Sequence, residues 1–397
     1  MTGSPHRSSG PAALGVRAAL VDGEIIAGDV LVADGKVVAV GVGGAGADGS
    51  GVPGHGLAVP GLLDLHINGF AGVDFLSTDE DGYAAASAAL AASGVTGYLP
   101  TFITSPLDDY RPALAVAARA ADAGAAHGAR VLGVHLEGPY LSPAWPGAHD
   151  PAQLRRPDVE EALALCDAGP VRMLTLAPEL DGAMELISAL TAREVVVSCG
   201  HSDADAETAD AAFDRGARAI THIYNAHRRW APRDPGLARA ALVRPGVTVQ
   251  AIVDHVHLSP EAAYAAFLTA RGRFSLVTDA IEAAGQGDGR YRLGRREVEV
   301  RDGRAALSDG KLAGSVLTMD AALRNLVCCG ASVADAVHAA TAAPARLLGR
   351  PDLGVLRPGG VADVTVLDDD LRVVRTLVGG VERFVAGASP APMAPRS

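Results

Sequence analysis

Apolar residues fall into two rhythms along this chain. Through its middle, short runs rich in Val, Ile and Leu alternate with Ala/Leu-rich stretches of helical spacing. The strand-like runs are AVPGLLDLHI (58–67), GVTGYLPTFI (94–103), RVLGVHLEG (130–138), VRMLTLAPE (171–179), EVVVSCGH (194–201), ARAITHIYNA (217–226), VTVQAIVDHV (247–256) and FSLVTDAI (274–281). Helical spacing fills most gaps, as over 83–93, 107–126, 159–167 and 204–216. Eight β units, most followed by a helix, predict an α/β fold, a (β/α)8 TIM-type barrel. Residues 285–310 break the rhythm and predict a small β excursion after the eighth strand. Two further helices, near 319–329 and 333–348, close the domain.

The chain ends follow the second rhythm. RAALVDG, EIIAGDVLVADG and KVVAVGVGG carry Asp-Gly and Gly-Gly pairs of hairpin type, and VADVTVLDDDLRVVRTLVGGVERFVAG repeats that character near the other end. Both termini are therefore expected to build one small β-sandwich domain from residues 13–57 and 355–390, with the barrel over 58–354. Residues 1–12 and 391–397 are expected to be tails, the first disordered and without the apolar core of a signal peptide.

Composition narrows the function classes. With 34 basic against 46 acidic residues in 397, the net charge of −12 offers no footprint for nucleic acid or an anionic membrane. An anionic substrate then requires a local cluster of Arg or His. Cys166, Cys199, Cys328 and Cys329 have no zinc-ribbon spacing, which points to a reduced, cytoplasmic protein, and no apolar run is long enough to span a bilayer.

Chemistry concentrates where barrel strands end, the active face of such a fold. Glu137 stands directly before Gly138-Pro139, at the lip of an apolar strand where a carboxylate is costly to bury without a cation. His66 and Asn68, His201, His222, Asp254, His255, His257 and Asp279 end other strands. One such histidine is more often structural than a ligand; several at one rim point to a divalent ion held by neutral imidazoles and carboxylates. A metal there lowers the pKa of water and polarises a carbonyl. Asp279, ending SLVTD without an obvious partner, then suits a general base.

DLHINGFAG, HLEGPYLSP, GAHDP, GHSDA, THIYNA, APRDPG, DHVHLSP, LVTDAI and LAGSVLTMD, in this order, resemble the N-acetylglucosamine-6-phosphate deacetylases of the amidohydrolase superfamily. The similarity runs from about Ala58 to Gly349. It implies a metal-dependent barrel with a small β domain, a homodimer, and a phosphorylated N-acetyl amino sugar as substrate. It also implies metal ligands at Glu137, His201 and His222, with Asp279 as catalytic base and His149 beside the acetyl carbonyl. Asn225, Ala226 and His257 would meet the sugar phosphate, Arg233 would reach the phosphate in the neighbouring subunit, and Ala313, Gly314 and Ser315 would lie beside the sugar.

Two positions depart from the family pattern. His66-Ile67-Asn68 lies between the His-x-His of binuclear members and the Gln-x-Asn of mononuclear ones, so one tight metal is expected, with a weak second at His66 left open. His227 replaces a common Met, a change expected on the pocket wall that bears on which sugar epimer fits. The only lysines, Lys36 and Lys311, end no barrel strand, which excludes a carbamylated-lysine bridge. The resulting expectation is hydrolysis of N-acetylglucosamine 6-phosphate to glucosamine 6-phosphate and acetate, with zinc, iron, cobalt or manganese in the site. The alternatives are the galactosamine epimer, another N-acyl substrate such as an N-acyl-D-amino acid, or an inactive barrel that serves as a binding protein.

Overall fold

A computed structural model describes residues 10–43 and 55–387. Eight parallel strands form the barrel: β1 (Leu62–Ile67), β2 (Val95–Ile103), β3 (Val134–Glu137), β4 (Val171–Leu176), β5 (Val196–Cys199), β6 (Ala219–Ile220), β7 (Thr248–Ala251) and β8 (Phe274–Leu276). They pair in sequence order from β1 to β8. The ring closes where Asp279 N donates to His66 O at 2.8 Å and Asn68 N donates to Ala280 O at 2.7 Å. Closure leaves no exposed sheet edge, and the strands carry the near-continuous apolar runs of a sheet covered on its outer face.

Helices α1 (Glu80–Ala91), α2 (Leu107–Asp122), α3 (Val159–Ala168), α4 (Ala183–Ala192), α5 (Ala206–Asp214), α6 (Gly236–Val243), α7 (Pro260–Thr269) and α8 (Met319–Cys328) surround the barrel. Asp79, Asp158, Asp205 and Ser259 cap four of them by accepting an N–H from the first turn, which fixes where each strand-to-helix loop ends. The inward faces of α1, α4 and α8, including Tyr83, Leu90, Leu186, Leu190, Leu323 and Leu326, are buried against the strands.

The chain ends pair as their hairpin chemistry predicts. Ala18–Val21, Glu24–Ala27, Leu57–Pro60, Val364–Leu367, Val373–Val378 and Val381–Val385 form a six-stranded sheet, and Ala12–Ala13, Asp29–Ala33 and Lys36–Val42 a three-stranded one. Val30, Val32, Val37, Ala58, Val364 and Val366 share a core between them. The run read as one strand over 58–67 divides at Gly61: Leu57–Pro60 joins the end sheet, and Leu62–Ile67 begins the barrel. The expected tails fall on residues outside those described, save 10–12, where Ala12 pairs with Val32. The excursion after β8 is a meander, Gly289–Leu293, Arg296–Arg301 and Arg304–Ala306. Its Leu293, Val298 and Val300 pack on Ile103, Ala148 and Ile281, which sets it as a roof over one side of the barrel mouth.

Among the described residues, no helix is long and apolar enough to cross a membrane. All four cysteines are free thiols.

Candidate metal and active site

Strand alternation selects which residues face the barrel axis. On β3, His135 and Glu137 share one side and Leu136 the other. Glu137 sits on the last rung, paired in register with Ile103 and Thr175. The next residues on other strands are turned by their backbone. His201, His222 and Asp279 take φ of 49°, 29° and 50°, in the left-handed region that costs a side-chain-bearing residue of order 1–3 kcal/mol. Three such residues, each just past a strand end, mark a place where the fold holds strained backbone so that the side chains converge.

They converge on Glu137. Its Oε1 lies 3.2 Å from His201 Nε2 and 3.1 Å from His222 Nε2, and those nitrogens are 3.1 Å apart. Its Oε2 lies 3.3 Å from His66 Nε2 and 3.4 Å from His149 Nε2. His66 Nε2 is also 3.2 Å from Asp279 Oδ1, which accepts from Asn68 Nδ2 at 2.6 Å. All seven side chains are buried. The expectation that Asp279 stands without a partner is corrected here: Asn68 and His66 both hold it, because ring closure brings the end of β1 beside the end of β8.

The donor set fits a divalent ion. Tetrahedral ligands with bonds of about 2.0–2.1 Å place their donor atoms roughly 3.3 Å apart. The Glu137–His201–His222 triangle has that size, and its members offer one ligand atom each within 4.8 Å of one another. His201 Nδ1 lies 3.0 Å from the Trp145 carbonyl, which can only accept, so the ring carries its proton there and turns a bare Nε2 toward Glu137. A Cβ on Gly147 would meet His201 Cε1 at 2.9 Å, so only glycine lets the Ser142–His149 loop lie this close to the ligand. A second group, His66, Glu137 and Asp279, meets the same criterion. There His66 Nε2 is buried beside two carboxylates yet makes no hydrogen bond of good geometry. Such an arrangement suits donors sharing a cation better than hydrogen-bonded partners.

Charges follow from this crowding. Although burial opposes it, His66 and then His149 hold the Glu137 carboxyl well below the usual range. Against the same burial, His66 holds Asp279 low. Burial pushes the His149 imidazole down to about 4, and His201 adds to the effect. His149 is thus a neutral ring. The Thr104 main-chain N–H lies 3.3 Å and its hydroxyl 2.8 Å from His149 Nδ1, while Nε2 faces Glu137.

Beneath the centre lies a layer of polar side chains. His135 Nε2 is 2.8 Å from Thr175 Oγ1, Thr175 Oγ1 is 2.8 Å from Thr221 Oγ1, and Ser198 Oγ is 2.6 Å from Thr221 Oγ1. Under β1 and β8, Asp64 accepts from Thr278 Oγ1 at 2.5 Å and from His66 N at 3.2 Å. Sequence reasoning missed this layer, Thr104 and the Trp145 carbonyl. Inward alternation on β3 and β4 marks His135 and Thr175; nothing in the sequence marks Thr104 or a main-chain carbonyl.

A cavity of about 510 Å³ opens above the centre. Glu137, His149, His201, His222, Asn225, Ala226, His257, Asp279 and Gly314 line it, with Trp145, Arg229, Leu293 and Lys311. Several expected residues lie elsewhere. Ala313 is buried beside Gly314, and Ser315 Oγ turns away to donate to Thr278 O at 2.6 Å. Arg233 is absent from its own chain's cavity lining. His255 is exposed, and Asp254 is engaged by His257 Nδ1 at 2.7 Å. His227, expected on the pocket wall, is instead buried behind it, where Nε2 accepts from Tyr224 N at 2.9 Å.

Comparison with known proteins matches this geometry. The amidohydrolase family profile covers residues 57–383. The human N-acetylglucosamine-6-phosphate deacetylase is 42% identical over 344 residues, 82% of each chain. The N-acetylgalactosamine-6-phosphate deacetylase of Escherichia coli O157:H7 is 38% identical over 328 residues, 82% of this chain and 87% of that one. Among solved structures, a variant N-acetyl-D-glucosamine-6-phosphate deacetylase from Mycobacterium smegmatis, in complex with N-acetyl-D-glucosamine-6-phosphate, superposes with a TM-score of 0.87 at 36% identity, covering 94% of this chain and 100% of that one. The chain belongs to the amidohydrolase family and, within it, to the group of the N-acetylglucosamine-6-phosphate deacetylases.

Proposed function

We propose that the protein hydrolyses the acetamide of N-acetyl-D-glucosamine 6-phosphate to D-glucosamine 6-phosphate and acetate, a step of amino-sugar catabolism. The observation that carries this reading is one buried carboxylate, Glu137, shared by a two-histidine corner and by His66, with an ionised Asp279 held across from it. Relatives at 36–42% identity named for this activity support it.

Glu137, His201 and His222 would hold one divalent metal per subunit; zinc suits the donors, and iron, cobalt or manganese share the preference. His66, Glu137 and Asp279 would hold a weaker second ion. When bound, the metal supplies a Lewis acid toward the acetyl carbonyl and lowers the pKa of water. Asp279, ionised and aimed by Asn68, takes the proton of the attacking water as the new C–O bond forms. The His149 Nε2–H donates to the carbonyl oxygen while negative charge collects there. Asp279 then passes its proton to the departing nitrogen as the C–N bond breaks.

His257, Asn225 and Ala226 would receive the phosphate, with Arg233 arriving from the partner subunit of a homodimer. Gly314 would lie against the sugar, backed by Ala313 and Ser315. The end sheets over 13–57 and 355–390 would form a small domain supporting the 58–354 barrel.

The Escherichia coli relative named for N-acetylgalactosamine 6-phosphate favours a second reading with the same chemistry and the other epimer. Acetate release from both epimeric sugar phosphates, with metal analysis of the same preparation, tests both. Failure to release acetate from either, with metal present, overturns the deacetylase reading.

A further inference from the structure

The mouth of the site poses a charge problem that the residues assigned above do not solve within one chain. The cavity floor carries two carboxylates, Glu137 and Asp279, both placed where a cation would take them up. Its outer end must attract a phosphate in a protein of net charge −12. His257 is tied through Nδ1 to the Asp254 carboxylate at 2.7 Å. Lys311 lines the mouth but pairs with Asp309 at 2.9 Å. Arg228, next in the chain to His227, turns to Asp234 at 2.8 Å. Arg229 remains: it lines the cavity, its side chain is exposed, and among the described residues no carboxylate pairs with it.

Its base is fixed. Arg228 N donates to Ser202 O at 2.9 Å, and His227 is buried and accepts from Tyr224 N, so the segment leading to Arg229 is pinned to the loop that carries His201. Asn225 and Ala226 line the same wall. A planar guanidinium with five donors is suited to the oxygens of a phosphate monoester.

Building on the deacetylase reading, we propose that Arg229 is a substrate-binding residue that clamps the sugar 6-phosphate from within the same chain, together with His257 of the same cavity wall. Each subunit then holds the anion with its own guanidinium, and the partner's Arg233 adds to a site that is already electropositive at its outer end. Selectivity for phosphorylated over neutral acetamido sugars resides in large part in this one side chain.

Steady-state kinetics of the metal-replete enzyme on N-acetylglucosamine 6-phosphate and on N-acetylglucosamine, with titration by inorganic phosphate, test the assignment. Arg229→Met should raise KM for the phosphorylated sugar roughly 10- to 100-fold, the size of a lost charge-assisted contact, and weaken phosphate binding similarly. Its kcat should change by less than about threefold, the pattern of lost uniform binding, with turnover of the neutral sugar unaltered. Arg229→Lys should recover part of the loss. Equal losses on both sugars, or unchanged KM and phosphate affinity, would overturn it. If the wild-type enzyme released no acetate from any acetamido sugar phosphate, the deacetylase reading would fall. Phosphate titration of wild type against Arg229→Met would still decide the anion site.

Discussion

The two oxygens of Glu137 face differently built halves of one centre. On the Oε1 side stand His201 and His222, two imidazoles whose Nε2 atoms are 3.1 Å apart, with His201 locked by the Trp145 carbonyl. Uncharged hydroxyls of Thr175 on β4, Ser198 on β5 and Thr221 just past β6 lie beneath the barrel mouth. On the Oε2 side stand one imidazole, His66, and one carboxylate, Asp279, supported by the Asn68 amide and by the buried carboxyl of Asp64. Two imidazoles and one carboxylate oxygen form a compact, nitrogen-rich corner that suits tight capture of a borderline metal. The other half is richer in carboxylate and holds Asp279 between the Asn68 amide and the His66 imidazole, which on the proposed reading would leave a base oriented yet able to accept and release a proton. On the proposed reading the contrast divides labour: one half would hold the ion and the other would move protons.

The most damaging test removes what both halves share. Glu137→Gln should abolish metal retention and lower deacetylation by at least about a thousandfold, because a ligand and the counter-charge of several buried imidazoles go together. Metal content by mass spectrometry, measured with acetate release, checks it; a metal-replete, active variant would break the comparison at its hinge. Asp279→Asn should separate the halves. Retention of the metal at the imidazole corner with kcat lower by about 10²- to 10⁴-fold is expected for loss of a general base alone. Loss of the metal in parallel with activity would show Asp279 to be chiefly a ligand. His66→Asn, which leaves the imidazole corner intact, should cost about 10- to 100-fold with full occupancy of the tighter ion.

The asymmetry of these halves also explains what the sequence revealed. Glu137, His201 and His222 announce themselves because each ends an apolar run, where an ionisable side chain needs a reason. Asp279 was equally visible, but its partners were not: Asn68 lies 211 residues away and meets it only because β8 closes on β1. The eight strand runs were legible, whereas their true lengths were not. Ala219–Ile220 and Phe274–Leu276 are far shorter than their apolar patterns, since buried loop residues such as Ile223 and Ile281 carry the same hydrophobicity as strands. The split at Gly61 was hidden for the same reason, one apolar run serving two sheets. The run HRRWAPR (227–233) was legible as the densest basic patch of the barrel, but not which of its arginines faces the site; only the cavity wall singles out Arg229.

The smallest expected effect concerns the support beneath the halves. Burial pushes the Asp64 carboxyl up to about 6 from 3.8, with Thr278 and His66 N–H hydrogen bonds offsetting only part of that cost. A folded-state pKa raised above the unfolded one means that the neutral acid fits the fold better than the ion. Its stabilising contribution is present below about pH 4 and is lost as pH rises through about 6. At 1.36 kcal/mol per unit, the loss amounts to about 3 kcal/mol across that window. Asp64→Asn, which keeps the shape and cannot ionise, should therefore gain stability relative to the wild type between pH 4 and 7, by at most that amount. Urea midpoints of both proteins at pH 4.5 and 7 measure the difference. The corresponding swap on the other side, Thr175→Val, removes a hydroxyl that does not titrate in this range and should shift stability by the same amount at both pH values. Equal pH response in the two variants would mean that the halves rest on the same kind of support, and the division between a holding side and a proton-moving side would lose its structural footing.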